Sequence, residues 1–148
     1  MEPGTIAETF NRLISKYNHA DEALRQADPA LQSLIAAHSP FNRLVVYGSL
    51  APGCINHEQV QDIEGEWNPV RISGTLENAG WGSGAGYPGF RFVEESSASV
   101  IPAQLFESPA LPEHWERLDE FEGEEYRRVL IVFQLGDSEG LGFIYALA

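Results

Sequence analysis

The amino-acid sequence predicts an α+β protein: a mixed, strongly twisted, barrel-like sheet with one conspicuous helix, plus a helical N-terminal extension. Three observations predict it. The first forty residues carry apolar side chains at helical spacing and a single glycine, Gly4. After Pro40 the apolar pattern shortens to runs and alternations of strand length, punctuated by glycine. Within that second region one segment, residues 113–122, returns to helical spacing. The expected division is a helical extension over residues 1–40 and one domain over residues 41–148.

In the extension, Thr5 and Glu8 form a capping box, and Ile6, Phe10, Leu13, Ile14 and Tyr17 follow it as one apolar stripe. Asp28 and Pro29 give a second start signal, an N-cap followed by proline at the first helical position. Leu31, Leu34 and Ile35 supply that helix with a buried face, and Ser39-Pro40 stops it. Beyond Pro40, Leu44 to Tyr47 is a short apolar run ended by glycine, which reads as a buried strand. Val70 to Leu76 alternates around Gly74, so a strand with a bulge or a close backbone approach is expected. Asn78 to Gly89 is crowded with glycine and reads as a loop. Phe90 to Val93 and Val100 to Phe106 are further strands. Trp115, Leu118 and Phe121 give the helix its apolar stripe. Tyr126 to Leu135 and Leu141 to Leu147 close the chain as two strands joined through Gly136 to Gly140.

Composition narrows the function classes. The 148 residues suit one hydrophobic core, and 43% of them are apolar. Nine Lys and Arg face 22 Asp and Glu, a formal net charge of −13. Such a chain repels phosphate backbones and anionic lipid, so neither nucleic acid nor membrane is expected as a partner. The lone Cys54 makes no internal disulfide. The start, Met1-Glu2-Pro3-Gly4, lacks the basic and apolar runs of a signal peptide, and no apolar stretch approaches the ~20 residues of a membrane helix. A cytoplasmic location is the expectation.

Three features could carry chemistry. Val46-Tyr47-Gly48-Ser49-Leu50 runs a buried strand into a glycine-containing turn, whose N–H groups can converge on an anion or oxyanion. The same spacing also fits a plain strand-ending turn. It is neither a P-loop nor a G-x-S-x-G elbow, because the required further glycines are missing. The second feature is the helix end, where Glu116, Asp119, Glu120 and Glu122 crowd together before Gly123. A helix C-terminus disfavours negative charge, and crowding and burial both raise a carboxyl pKa. Glu122 lies one residue from Phe121 and four from Leu118, so it borders the buried face. A raised-pKa acid/base and a solvated acidic face both fit. The third feature is Tyr126-Arg127-Arg128. An inward arginine there could pair with a carboxylate, hold a substrate carboxylate bidentately, or form an ion pair with the Glu122 to Glu125 cluster. The four histidines show no metal spacing. His57 could sit near a pocket or serve structurally, and Cys54 reads as a small apolar residue.

Taken together, these residues resemble the gamma-glutamylcyclotransferase-like superfamily, in its bacterial and gamma-glutamylamine cyclotransferase branch. Tyr47-Gly48-Ser49-Leu50 resembles its Y-G-[ST]-L loop. Leu118-Asp119-x-x-Glu122-Gly123 followed by Tyr126-x-Arg128 resembles its second signature. Gly74-Thr75-Leu76, Tyr87-Pro88-Gly89 and Phe143-Ile144-Tyr145 match intervening and terminal elements, so the likeness covers roughly residues 43 to 148. One departure is Ala103-Gln104-Leu105-Phe106, where a common family glutamate is replaced by Gln104.

The resemblance implies an enzyme acting on a small-molecule gamma-glutamyl amide. The substrate's own α-amine attacks its γ-carbonyl and releases 5-oxoproline and an amine. Glu122 would be the catalytic acid/base. Tyr47, Gly48, Ser49 and Leu50 would bind substrate, with Tyr126 and Arg128 beside them. No metal or organic cofactor is implied. Oligomeric state is left open. The competing expectation is a non-catalytic small-molecule-binding or interaction module on the same fold.

Overall fold

The computed structural model describes residues 12–48, 50, 52–54, 56–77, 89–91 and 99–147. The capping box at Thr5 and Glu8, the start of the first apolar stripe, Ser49, and residues 78–88 and 92–98 lie outside the described residues. The chain divides into two units, Met1–Ser39 and Pro40–Ala148.

In the first unit, residues 12–19 are helical (α1), followed by α2 (Glu22–Ala27) and α3 (Pro29–His38). Asp28 caps α3: its carboxylate accepts from the N–H groups of Ala30 and Leu31 at 2.9 and 3.2 Å. Pro29 occupies the first turn, where its missing N–H costs nothing. Lys16 pairs with the same carboxylate. Leu31 and Leu34 are buried as expected, while Ile35 is only partly covered. Ser39 ends the helix in the left-handed region, at φ 47.

The second unit is built on six strands: β1 (Arg43–Val46), β2 (Glu66–Glu77), β3 (Gly89–Arg91), β4 (Ser99–Glu107), β5 (Tyr126–Leu135) and β6 (Ser138–Leu147). The pairings β1–β4, β4–β2, β2–β5, β5–β6 and β6–β1 close a ring of five strands. β1 and β6 run parallel and the other four pairs of the ring antiparallel, so the sheet is mixed and barrel-like. β3 sits at one end, antiparallel to the end of β2 and parallel to the end of β6. Closure protects strand edges that would otherwise template pairing with another chain.

Strand alternation sorts the side chains onto two faces. Val45, Ile72, Leu105, Ile131, Ile144 and Phe90 belong to the core inside the ring. Their neighbours along the same strands, among them Leu44, Leu130 and Phe143, point to the outer face and are also buried. β2 begins at Glu66, earlier than its alternating part at Val70. The polar, proline-containing stretch Glu66–Pro69 has no strand pattern of its own. It becomes strand by pairing with β4, where Trp67 lies opposite Phe106 and stacks on it at 4.6 Å.

The β2–β4 register runs unbroken from Glu66↔Glu107 to Gly74↔Ser99, so Gly74 marks a close approach and not a bulge. A Cβ there would collide with the Phe90 ring. The β5–β6 hairpin is tighter than expected. Leu135 pairs with Ser138, leaving only Gly136 and Asp137 as the turn. Gly136 takes φ 60, as two-residue hairpin turns require at their first position.

The helix expected near the acidic cluster is α4 (Trp115–Glu122), preceded by a single 3₁₀ turn at Leu111–Glu113. Eight residues are too few for an independent helix in water. No side chain caps its N-terminus, so tertiary contacts must hold it. Trp115 and Leu118 are buried, and the Trp115 indole N–H donates to the Phe41 carbonyl at 2.8 Å. Full burial of such side chains contributes about 1.5–3 kcal/mol each. Gly123 ends the helix at φ 78, its N–H donating to the Asp119 carbonyl. Among the described residues, no helix is long and apolar enough to cross a membrane.

Candidate functional site

Glu122 is the last residue of α4, and its position there is the central fact of the site. The stripe of Trp115 and Leu118 turns this helix face toward the barrel, and Glu122, four residues after Leu118, follows it inward. Glu122 is only 8% exposed. Burial penalises its anion first, and the nearby Asp119 charge adds to that penalty. Together they push its carboxyl up to about 7. A solvated acidic face does not describe this residue. Glu116 and Glu120 on the same helix are exposed and take that part.

Tyr47 leaves the end of β1 and continues the inward row begun by Val45, packing its ring against Phe90 at 5.8 Å between centroids. Its hydroxyl donates to the Tyr145 carbonyl at 2.7 Å and accepts from the Phe90 N–H at 2.9 Å. The phenol therefore joins β6 to β3 at the point where β1 stops. Burial raises the Tyr47 pKa well above the ordinary phenol range, and charge on Tyr126 and Glu122 adds to the shift. Tyr47, Tyr126 and Glu122 thus form one electrostatic neighbourhood.

The loop beyond Tyr47 is anchored by its apolar end. Leu50 is buried, and its carbonyl accepts from the His57 Nδ1–H at 2.9 Å, which sets the tautomer of that ring. The His57 ring also packs against Trp67. His57 has the structural role that its lack of metal spacing allowed. Among the described residues of this loop, Gly53 carries the left-handed backbone, at φ 82. Ser49 lies outside the described residues, as does its part in the loop.

Arg128 pairs with a carboxylate, as one sequence expectation had it, but from the outer face and within the protein. It points to the outer face of β5, toward α4, and its partner is Asp119, not the Glu122 to Glu125 cluster. Nε donates to Asp119 Oδ1 at 2.9 Å and Nη2 to Oδ2 at 3.3 Å. The guanidinium lies over the Trp115 and Phe143 rings, 4.6 and 4.7 Å from their centroids. A substrate carboxylate at Arg128 would have to displace Asp119. Arg127, its neighbour, is exposed.

Two residues absent from the expected site emerge here. Asp119 accepts a third hydrogen bond, from the Tyr145 hydroxyl at 2.7 Å. Burial and this bond to Asp119 both raise the Tyr145 pKa. Tyr145 thus reaches α4 with its phenol while its carbonyl holds Tyr47. A sequence signal for Asp119 existed: it precedes Glu122 by three positions, which puts both on one helix face. Tyr145 lay in the matched Phe143-Ile144-Tyr145 element, but nothing local gave its phenol a partner. Gln104, in β4, is half-buried and lies opposite Val46, the residue before Tyr47.

Comparison with known proteins bears on this arrangement. A protein-family model described as gamma-glutamyl cyclotransferase, AIG2-like, matches residues 44–148. Among solved structures, YkqA from Bacillus subtilis is similar at 23% identity and a TM-score of 0.56, covering 72% of this chain. The chain spans only 35% of the length of that protein. An AIG2-like protein from Mus musculus is similar at 21% identity and a TM-score of 0.54, over 72% of this chain and 77% of the other. At these identities the likeness concerns the fold. No curated protein sequence matches the chain.

Proposed function

The chain belongs to the gamma-glutamyl cyclotransferase, AIG2-like family, and from that premise we propose that it is an enzyme cleaving a gamma-glutamyl amide, with Glu122 as its acid/base. One observation carries the reading: a buried carboxyl at the end of α4, its charge felt at Tyr47 and its pKa raised to about 7 by burial and by Asp119. A general acid/base works best when its pKa lies near the operating pH, because both protonation states are then accessible.

The reaction needs no nucleophile from the protein. The substrate's α-nitrogen attacks its own γ-carbonyl carbon, the new C–N bond closes a five-membered ring, and the old amide C–N bond breaks. Two protons leave the α-ammonium in the process, and the departing amine gains two. Ionised Glu122 takes each from the α-nitrogen and returns it to the leaving nitrogen, so the carboxylate ends as it began. The products are 5-oxoproline and an ammonium ion of the leaving amine, with no water consumed. Positioning of a reaction within one molecule accounts for a large part of such catalysis. In this reading the backbone of Tyr47 to Leu50 holds the substrate's α-carboxylate or the developing oxyanion. The Tyr47 hydroxyl has another task, because it is already bonded to both β3 and β6. Tyr126 begins β5 and would meet the substrate there, whereas Arg128 contributes through Asp119.

The test is a screen for 5-oxoproline release from gamma-glutamyl amines, gamma-glutamyl dipeptides and glutathione. Wild-type protein should release it from at least one class. Glu122→Gln, close in shape but unable to shuttle a proton, should lose about 10²–10⁴ in rate or more. Equal rates for the two proteins would remove Glu122 from the chemistry. No release from any compound would favour a binding module on the same fold.

A further inference from the structure

The walls of the site come from distant parts of the chain: α4 carries Glu122, and the loop after β1 carries Tyr47. One strand residue touches both. The Tyr145 hydroxyl donates to Asp119 Oδ1 at 2.7 Å, and the Tyr145 carbonyl accepts from the Tyr47 hydroxyl at 2.7 Å. Asp119 in turn is gripped by Arg128 through both carboxylate oxygens. Two strands, β5 and β6, therefore hold α4 through a single side chain, one helical turn before Glu122. Gly123 ends the helix immediately after Glu122, so Glu122 lies in the turn that Asp119 holds.

We propose that Asp119, clamped by Arg128 and Tyr145, is the positioning residue of the site, holding the last turn of α4 and with it the Glu122 carboxyl. This rests on the reading of Glu122 as acid/base but adds a role that the family match does not assign. Asp119 acts in two ways. Its three hydrogen bonds set where the end of α4 lies, and its charge disfavours ionised Glu122. The titratable and charged groups around Glu122 are Asp119 on its own helix, Tyr47 from the loop after β1, Tyr126 and Arg128 from β5, and Tyr145 from β6. Glu124 and Glu125 in the following turn are exposed. Of these, Asp119 is the group whose charge raises the Glu122 carboxyl.

The effects of substitution separate accordingly. Asp119→Asn keeps the shape and an acceptor oxygen but removes the charge, and leaves Arg128 as an unneutralised cation nearby. Both changes favour ionised Glu122, so its titration midpoint should fall by about one pH unit. The acid limb of the rate profile should move down with it. Tyr145→Phe keeps every charge but removes one of the three bonds. It should leave the midpoint in place, lower kcat about tenfold with little change in KM, and speed amide exchange at Phe121 and Glu122. The experiment measures the Glu122 midpoint by ¹³C NMR of labelled carboxyl groups, amide exchange, and the pH–rate profile, on wild type and both variants.

A lowered midpoint in Asp119→Asn with faster exchange in Tyr145→Phe supports the proposal. An unmoved midpoint, or unchanged exchange and kcat in Tyr145→Phe, overturns it. If Asp119→Asn does not fold, Tyr145→Phe decides alone. If wild-type protein turns over no gamma-glutamyl compound, the reading of the reaction fails, while the titration and exchange still decide the role of Asp119.

Discussion

Glu122, the proposed acid/base, sets stability against chemistry at a single residue. A carboxyl whose folded pKa is about 7, against an ordinary 4.5, binds its proton more tightly folded than unfolded. Between those pH values the folded state holds more protons, so stability falls as pH rises from about 4.5 and levels off above about 7. The full penalty is roughly 3 kcal/mol, an upper bound set by 1.36 kcal/mol per unit. Glu122→Gln has no charge to bury. Thermal unfolding should therefore show the variant gaining on wild type as pH goes from 5 to 8, even as its activity is lost. A constant Tm difference across that range would contradict the burial of an ionisable Glu122. Tyr47 makes the opposite case, a residue proposed for the site whose hydroxyl serves the fold. Tyr47→Phe removes two hydrogen bonds at the junction of β3 and β6. A loss of about 1–3 kcal/mol in denaturant unfolding is expected.

At the scale of elements, α4 and the two strands beneath it behave as one unit. The helix is short and uncapped, and Trp115, Leu118 and the Asp119–Arg128 pair hold it to β5 and β6. Leu118 is fully buried, so Leu118→Ala should cost about 2–5 kcal/mol and lower activity through movement of α4. The β5–β6 hairpin tip is the matching control. It lies nine residues along β5 from Tyr126, roughly 30 Å at strand rise. Gly136→Ala places a side chain at φ 60 and should cost about 1 kcal/mol, yet leave kcat and KM as in wild type. A kinetic change there would mean that the site senses the whole barrel. Gly74 acts at the same scale: its missing Cβ is what lets the Phe90 ring lie against β2, and so lets β3 close the end of the barrel beside Tyr47.

For the whole molecule, the formal charge of −13 works against compactness. The ion pairs described are few and mostly near the surface, so they do little to offset it. Added salt screens this self-repulsion over about 8–10 Å. The Tm should rise by a few degrees between low and physiological ionic strength, and a fall would mean that local ion pairs outweigh net repulsion.

Local chemistry determined much of this protein in advance. Asp28-Pro29 fixed the start of α3, the run from Leu44 marked β1, and the stripe of Trp115, Leu118 and Phe121 marked α4, because caps and periodicities act within a few residues. Crowded carboxylates ahead of Gly123 pointed to Glu122 for the same reason. What only the tertiary structure decided involves residues far apart in the chain. Pairing with β4 turned the patternless Glu66–Pro69 into strand. Ring closure brought β1 alongside β6. The pleat of β5 sent Arg128 outward to Asp119, and β6 placed Tyr145 between α4 and Tyr47. Most of these partners are set by strand register across more than twenty intervening residues, and even the nine from Asp119 to Arg128 cross from a helix to a strand, so a local pattern carries no record of which element will lie beside it.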